Sequence, residues 1–559
     1  MPSATVTSGG PKLFTMPFLP LSLNRLCSNH SLAVGLLFAS LLCFSITLEA
    51  QRAQGPGKID WGNEYREPSN TRIGKIVSSN ELGVYVYREK LTTAFSLADK
   101  VYLERYDMDM KLAKSKEYDL KYKSKTRDFE EILMLDRQLY FLTSFNNQAH
   151  KKNYLFVQEI DNDRLTLDRR IDMIAETEAV SKNREGSFAF TSSPDSTKLL
   201  VYNQLPYVKR NPERFALRVF GSGFQPLWDR EITLPYSDDE FSIEEYRIDN
   251  EGNVYLLGIF YADRNRLERA NNPTYQYRIL AYRKDGAEVQ EYPLDLRGRF
   301  ITDLTFRIGR DGNLVCSGFY SEKNSYSVKG TYFIRIDTET EEVISQNLKE
   351  FELEFLTGML SSRMKEKAER AELRGNPEKE AELYRYSLDE LVLRSDGGAL
   401  LVAEQYYIYE RNFQNFNGMW VTTYYYNYND IIVINISPSG EIEWTARIPK
   451  RQVTVDDGGY FSSYAMSIVR DRIYFIYNDN PRNLEQDRPM NRLHNFNGSN
   501  SVIALSEVMR DGSVNTYPLF INREASIITR PKICKQISRN SIAVYGERGR
   551  NYRFGRLDF

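Results

Sequence analysis

Short runs of alternating apolar and polar residues cover most of the chain, and a strand–turn–strand unit recurs eight times between Ile76 and Tyr545. This period of two predicts strands with one buried face, and turns rich in Asp, Asn and Gly separate them. A third strand follows each unit, and a fourth follows in every repeat but the last, so a four-stranded antiparallel sheet repeats at roughly 55–60 residues over the first five repeats. The clearest units surround Glu251-Gly252-Asn253, Asp311-Gly312-Asn313 and Asp396-Gly397-Gly398, and the weaker ones are centred on Asn80, Asp136, Asp195, Arg470 and Arg539.

A repeated sheet that is too small to bury both of its faces must stack on its neighbours. The pattern therefore predicts an all-β fold, an eight-bladed β-propeller spanning residues 58–559. Seven blades is the alternative if one weak unit is miscounted, and a pair of open β-sandwiches is another.

The two ends of the repeat region supply the sharpest architectural prediction. The last repeat has a third strand at Tyr552–Phe559 and no fourth, while Lys58–Gly62 resembles the fourth strands at Glu441–Trp444 and Gln225–Trp228. We expect the N-terminal strand to complete the last blade and close the ring, because closure removes two exposed sheet edges.

One segment departs from the strand pattern between the fifth and sixth repeats. Apolar residues at three- to four-residue steps predict a helix over Phe351–Arg374, which Gly375-Asn376-Pro377 ends, and a short second helix over Glu378–Tyr384. We expect a helical insertion over residues 351–385. It is either a partner-docking element or a charged excursion packed on one face.

The N-terminal region indicates export. Leu32–Leu48 is the longest apolar run, with Arg25 before it and the small residue Ala50 after it, which predicts a signal peptide over residues 1–50 cleaved before Gln51. The run is roughly 16–17 residues, at or below the short limit for a spanning helix. A retained membrane anchor and a lipid anchor at Cys43 are the alternatives, and Met16 is a second candidate start.

The charge distribution argues against nucleic-acid binding, and the cysteine content argues against a disulfide. Lys and Arg number 74 against 76 Asp and Glu, and the basic residues are scattered, so no nucleic-acid footprint is present. Outside the signal segment only Cys316 and Cys534 remain, on the fifth and eighth repeats. Because those repeats are not neighbours, we expect two buried free thiols rather than a disulfide.

The sixth repeat carries an aromatic hairpin between its second and third strands. Two aromatic arms flank the turn Asn417-Gly418, and they are too long to be core throughout. Exposed Tyr and Trp give rigid amphipathic contact area, so we expect a partner-binding surface; the alternative is that the arms cover each other or the helical insertion. The candidate binding residues are Tyr407, Trp420, Tyr424, Tyr425 and Tyr426.

Signatures of catalysis are missing from the sequence. No Gly-x-Ser-x-Gly elbow, phosphate loop or zinc-spaced Cys/His group occurs, and outside the signal segment only His150 and His494 remain. Asp456-Asp457-Gly458-Gly459 is typical of a turn, with calcium binding as its alternative. We therefore predict no catalytic residue, no cofactor and no metal site, although a spatial pair of carboxylates would escape this search.

Five segments of the repeat region form a recognisable set: Leu401–Tyr407, Tyr428–Val433, Ile442–Trp444, Asp456–Tyr460 and Tyr552–Gly555. They resemble uncharacterised secreted β-propeller proteins of Bacteroidota bacteria. The resemblance covers residues 58–559 and implies export to the periplasm or beyond, with no assigned reaction. Many exported proteins of these bacteria carry a C-terminal sorting domain after the main fold. Because the last predicted strand here ends at Phe559, the resemblance favours the periplasm or the inner face of the outer membrane.

Two functions follow as hypotheses. The first is a non-enzymatic exported propeller that binds an envelope protein or glycan, as a monomer or in a hetero-complex, and touches the membrane only through its cleaved signal segment. The second is a carbohydrate-binding or glycan-cleaving propeller with a carboxylate site on one face, which rests on analogy of fold.

Overall fold

In the computed structural model of the chain, ten stretches are described. The signal segment and the Gly375-Asn376-Pro377 and Asn417-Gly418 turns lie outside these residues. The described stretches are 55–91, 99–122, 125–181, 186–206, 212–237, 239–269, 272–374, 380–414, 419–485 and 491–559.

Eight antiparallel sheets of four or five strands follow one another along the described chain. Sheet one contains Thr71–Asn80, Gly83–Lys90, Lys100–Tyr106 and Leu112–Asp119; sheet two contains Asp128–Leu135, Gln138–Asn147, Lys152–Ile160 and Asp172–Glu178. Sheet three contains Ser187–Ser192, Leu199–Gln204, Pro212–Phe220 and Pro226–Ser237; sheet four contains Phe241–Ile248, Val254–Tyr261, Tyr275–Arg283 and Glu288–Leu294.

The remaining sheets keep the same order of strands. Sheet five contains Phe300–Ile308, Leu314–Ser321, Gly330–Ile336 and Val343–Glu350; sheet six contains Tyr386–Leu393, Ala399–Gln414, Trp420–Ile436, Ile442–Ile448 and the added strand Gln452–Val455. Sheet seven contains Tyr464–Val469, Arg472–Asp479, Val502–Val508 and Val514–Ile521. Sheet eight contains Ile528–Thr529, Lys535–Ser538, Ser541–Arg548, Asn551–Asp558 and Lys58–Arg66.

The strand–turn–strand units of the sequence are the first two strands of these sheets, so the prediction of an all-β chain of antiparallel sheets is confirmed. The turns have the geometry that their residues favour. In sheet four, Gly252 has φ 94°, and the Asp249 carboxylate accepts hydrogen bonds from the backbone N–H groups of Glu251 at 3.0 Å and Asn253 at 2.8 Å.

The N-terminal strand lies where the sequence placed it. Lys58–Arg66 pairs antiparallel with Asn551–Asp558, and Trp61 is directly opposite Gly555. The close approach requires glycine, because a Cβ atom at Gly555 would lie 2.7 Å from the Trp61 ring. The prediction that residues 58–62 supply the missing strand of the last sheet is confirmed.

Eight clusters of buried apolar side chains lie between the sheets, and each draws its members mainly from two of them. Seven clusters join sheets that are consecutive in sequence. The other joins sheet one to sheet eight, through residues such as Ile76, Val86, Tyr545 and Phe554. Every sheet thus covers both faces with the faces of two other sheets, which its own four strands cannot do.

Tryptophans on the fourth strands reinforce this stacking at two places. The Trp228 indole N–H of sheet three donates to the carbonyl of Gly252 in sheet four at 2.9 Å. The Trp444 indole N–H of sheet six donates to the carbonyl of Arg510 in sheet seven at 3.0 Å. Each ring covers apolar surface and ties one sheet to a turn of the next.

A buried polar network crosses the contact between sheets eight and one. The Arg88 side chain is fully buried, and its Nη1 donates to Glu67 Oε1 at 2.6 Å. Its guanidinium lies 4.5 Å from the centre of the Tyr552 ring, and its Nε is 3.4 Å from Glu104 Oε1. Removing one partner from such a network leaves an uncompensated charge, so the network fixes how the two sheets meet.

The segment between sheets five and six is helical in part. Helices form over Leu353–Thr357 and Ser362–Leu373, so the single predicted helix is broken in two, after Thr357. The predicted second helix at Glu378–Tyr384 is wrong at its described end, where Leu383–Tyr384 is a strand paired with Ser327–Val328. No helix in the described part of the chain is both long and apolar enough to span a membrane.

Replacing Trp61 with alanine tests the contribution of the N-terminal strand to stability. The ring packs edge-on against Phe520 at 5.1 Å, so W61A removes contacts between sheets seven and eight. We expect the free energy of unfolding to fall by about 3 kcal/mol, measured as a lower urea midpoint.

The matched control is Trp420→Ala, because that indole is 73% exposed. This variant should change the free energy of unfolding by no more than about 0.5 kcal/mol. Equal midpoints for the two variants would show that the N-terminal strand adds nothing to the stability of the last sheet.

Candidate functional site

Sheet six carries an arm, which we define as residues 406–414 and 420–428. Its second and third strands, Ala399–Gln414 and Trp420–Ile436, are the longest of the described strands. They pair in register from Tyr406 opposite Tyr428 out to Gln414 opposite Trp420. The sheet thus projects a two-stranded ribbon beyond its packed part.

The two faces of the arm divide the five aromatic residues that the sequence singled out. Cross-strand partners share a face, and faces alternate along a strand. Tyr407 and Tyr425 therefore lie on one face. Trp420, Tyr424 and Tyr426 lie on the other face, so the five candidates do not form one continuous surface.

Exposure rises from the base of the arm to its tip. At the base, the Tyr406 and Tyr428 rings pack 4.6 Å apart and Tyr428 is buried. Farther out, Tyr409 is 57% exposed and Trp420 73% exposed. The base of the arm thus packs on itself, and the outer part presents aromatic side chains to solvent.

The loop after sheet six braces the arm. Gln452–Val455 pairs with Tyr425–Tyr428. Asp456 then accepts a hydrogen bond from the backbone N–H of Tyr424 at 2.8 Å. Asp457 accepts one from the backbone N–H of Gly459 at 2.8 Å. The carboxylates that suggested calcium thus hold the arm and the turn.

A cleft of about 370 Å³ lies at the base of the arm, next to Tyr407. The helical segment forms one wall with Leu356, Met359 and Leu360. The opposite side comes from sheet six and the loops beyond it. Other residues that line the cleft are Glu382, Leu383, Tyr384, Tyr386, Asn429, Asp430, Arg447, Lys450, Val453, Asn491 and Leu493.

Buried ion pairs support this cleft. The Asp430 carboxylate accepts a hydrogen bond from the Tyr386 hydroxyl and lies 3.4 Å from Arg447 Nε. The Arg447 guanidinium lies 4.4 Å from the centre of the Phe355 ring, which ties the helical segment to sheet six. Beside it the fully buried Lys450 pairs with Glu404 and donates to the Tyr428 carbonyl at 3.1 Å.

Some polar atoms of the cleft have no hydrogen-bond partner in the described chain: Arg447 Nη2, Asn429 Oδ1 and Glu382 Oε1. The Arg447 side chain is only 6% exposed. Buried polar atoms are nearly always satisfied by protein, water or a ligand, so these three atoms are the contacts that the cleft offers to another molecule.

The sequence missed the polar residues of the cleft. Asp430 directly precedes the apolar run Ile431–Ile434, Arg447 lies between Ala446 and Ile448, and charged residues are almost never buried unless paired. Their place beside apolar residues was the available signal. It did not show that the two residues meet, because they lie on different strands and their pairing depends on register.

Two carboxylates on first strands lie in a separate region. Asp303 of sheet five accepts backbone hydrogen bonds from Leu388 at 2.8 Å and from Leu304 at 2.9 Å, and burial raises its pKa to about 6. Asp389 of sheet six accepts a hydrogen bond from the Tyr464 hydroxyl at 2.6 Å, and burial raises its pKa to about 6 as well. The negative charge of Asp389 further raises the pKa of Asp303.

The remaining reactive side chains serve the fold. Both described cysteines are free thiols, and burial raises the pKa of the Cys534 thiol to about 12. Cys316 is buried in sheet five, where burial also raises its pKa. His150 is in the turn between the second and third strands of sheet two, and His494 is in the loop before the third strand of sheet seven.

No protein-family model and no curated protein matches the chain. Among solved structures it is similar to the β-propeller domain of the Trilobed protease from Pyrococcus furiosus, at 9% identity and TM-score 0.33, covering 80% of this chain and 98% of that one. It is also similar to the WD40 domain of SCAP from fission yeast, at 8% identity and TM-score 0.34, with coverage of 89% and 98%. The periplasmic gluconolactonase PpgL of Pseudomonas aeruginosa matches at 10% identity and TM-score 0.28, with coverage of 70% and 99%. All three TM-scores lie below 0.5, so these matches assign no function.

The pKa of Asp303 leads to a pH-dependent stability. The pKa of Asp303 in the folded protein is about 6, which lies above its value in the unfolded chain. The protonated carboxyl therefore contributes stability to the fold below the unfolded pKa, and this contribution is lost as the pH rises through 6. The unfolding free energy of the wild type minus that of D303N should fall by about 2 kcal/mol between pH 4 and pH 7. Urea unfolding at both pH values measures it.

Asp337, in the turn between the third and fourth strands of the same sheet, supplies a control whose pH-dependent stability changes in the opposite direction. Backbone hydrogen bonds from Thr340 and Glu339 lower its pKa, so its stabilisation is lost as the pH falls. The difference between the wild type and D337N should therefore increase with pH. A difference for D303N that does not change with pH would contradict the raised pKa of Asp303.

Proposed function

We propose that the eight sheets are the blades of one closed β-propeller. The order of the clusters supports this arrangement: each sheet shares one cluster with the sheet before it and another with the sheet after it. The cluster between sheets eight and one supports closure, as does the pairing of Lys58–Arg66 with the last strand of the chain.

We infer that the protein is an exported, non-enzymatic binding or scaffold protein of the cell envelope that engages a partner through its arm. The observation that carries this function is the exposure of Trp420, which is 73% exposed on a ribbon that continues two packed strands. Tyr and Trp are the residues that dominate binding energy at interfaces, and a rigid ribbon presents them at a low cost in entropy.

A carbohydrate-binding or glycan-cleaving propeller is the second candidate. The observation that favours it is the nearness of Asp303 and Asp389, whose pKa values are raised to about 6. Carboxyl groups with such pKa values can donate a proton near neutral pH. Hydrolysis of a panel of envelope polysaccharides that D389N abolishes would favour this function over the first.

Export rests on the apolar run at Leu32–Leu48 and on the resemblance to secreted propellers of Bacteroidota bacteria. The mature protein should begin at Gln51 and fractionate with the periplasm or the outer membrane. N-terminal sequencing of the protein from fractionated cells measures both. A mature chain that keeps Leu32–Leu48 and sediments with the inner membrane would show an anchor instead.

Replacing Trp420 and Tyr424, which share one face of the arm, tests the binding function. W420A/Y424A should lower the yield of cross-linked envelope partners by about tenfold, since each ring contributes more than about 1 kcal/mol at a typical interface. The measurement is cross-linking in cells, followed by affinity purification and quantitative mass spectrometry.

The control is Tyr122→Ala, because Tyr122 is an exposed tyrosine outside sheet six. This variant should keep the cross-linked partners of the wild type. Partners that are captured equally by all three proteins would rule out the face of the arm that carries Trp420 and Tyr424 as the binding surface.

A further inference from the structure

The cleft beside Tyr407 supports a second, more specific assignment. We propose that it binds a short extended peptide segment, with an apolar side chain between the walls of the cleft and one peptide group on its polar floor. This inference rests on the proposed binding function and names the chemistry of the ligand.

The polar floor matches a peptide group. Arg447 Nη2 is a donor without an acceptor in the described chain, and Asn429 Oδ1 is an acceptor without a donor. The other half of the Asn429 amide is held, because its Nδ2 donates to Gln405 Oε1 at 2.9 Å. A ligand that offers one carbonyl and one N–H group satisfies both free atoms, which is what a peptide unit offers.

Charge favours a neutral ligand group over a free carboxylate. Arg447 is already beside Asp430, and Lys450 is paired with Glu404. Glu382 adds a further carboxylate whose Oε2 accepts a hydrogen bond from Ser321 at 2.8 Å. Arg451, which also lines the cleft, adds a third cation, so three cations and three carboxylates balance without a charged ligand.

The walls favour an apolar side chain. Leu356, Met359 and Leu360 line one side, and the strand residue Leu383 extends that surface. A volume of about 370 Å³ lies in the range of pockets that hold small ligands. This aliphatic wall suits an apolar side chain such as Leu, Met or Phe.

An open strand edge lies next to the cleft. Within the arm, residues 407–414 pair with residues 420–427 on one side, and no other strand of the described chain pairs with residues 407–414 on their other side. Tyr407 belongs both to this edge and to the cleft. A bound segment can therefore continue from the cleft along the arm with main-chain hydrogen bonds, which is recognition by strand addition.

The test begins with a phage library of random 12-residue peptides, selected on the purified full-length chain. Synthetic copies of the enriched peptides are then titrated by fluorescence polarisation against the wild type and three variants. Met359→Arg fills the cleft from the helical wall, and Asn429→Ala removes one free acceptor. Met364→Arg is the matched control, because Met364 is 48% exposed on Ser362–Leu373 and does not line the cleft.

We expect enriched peptides that share one Leu, Met or Phe position. Their Kd should rise at least tenfold in M359R and about tenfold in N429A, as the loss of one buried hydrogen bond implies. It should stay within about twofold in M364R. Circular dichroism with urea midpoints like that of the wild type would show that the variants fold.

Other outcomes overturn the proposal. It fails if no peptide is enriched, or if the peptides bind M359R as tightly as the wild type. Titration with tri-N-acetylchitotriose is a parallel arm: binding of this sugar that M359R abolishes would assign the cleft to a glycan.

The two proposals fail separately. Partners lost in W420A/Y424A but no enriched peptide would leave the arm as the binding element without the cleft. Peptides that need the cleft, with partners unaffected in W420A/Y424A, would support the cleft and remove the Trp420 face of the arm from the binding function.

Discussion

The antiparallel pairing of Lys58–Arg66 with Asn551–Asp558 is the interaction on which the rest of the structure depends. Without it, the last sheet would end in a bare strand, with unpaired backbone groups and half of a hydrophobic face open to water. Glu67 directly follows this strand and reaches the buried Arg88 of sheet one, which also lies over Tyr552 of sheet eight. One short segment near the N-terminus thus pairs with the edge of the last sheet and also neutralises the buried charge of Arg88.

Most of this fold is local in origin, and so it could be predicted. Hairpins with Asp and Gly turns can be recognised from a few consecutive residues. The alternation of apolar and polar residues indicated the boundaries of the two strands that flank each of these turns. The N-terminal strand was predictable for another reason: the last repeat lacked a strand, and residues 58–62 resembled the fourth strands of other repeats. The helical segment was predictable as helix, but not its break after Thr357, since Phe355 is drawn onto Arg447 by a contact far away in sequence.

The candidate site was less predictable, because it is made of pairings between distant segments. Aromatic content pointed to the arm, yet it did not show that Tyr407 and Trp420 lie on opposite faces. That assignment needs the pairing register of the two strands, and the sequence alone does not fix this register. The strand at Leu383–Tyr384 and the cleft beneath it depend on Ser327–Val328, more than fifty residues earlier in the chain.

The arm and the cleft place opposite demands on sheet six. Its packed part is rigid, since Val402, Ile432 and Ile434 are fully buried between neighbouring sheets. The same strands then leave that core with polar side chains buried at their base. Leaving a buried donor or acceptor atom unsatisfied costs about 1–3 kcal/mol. Asn429 Oδ1 and Arg447 Nη2 are two such atoms where the arm begins, and local rules of folding are most often broken in this way where a protein meets its ligand.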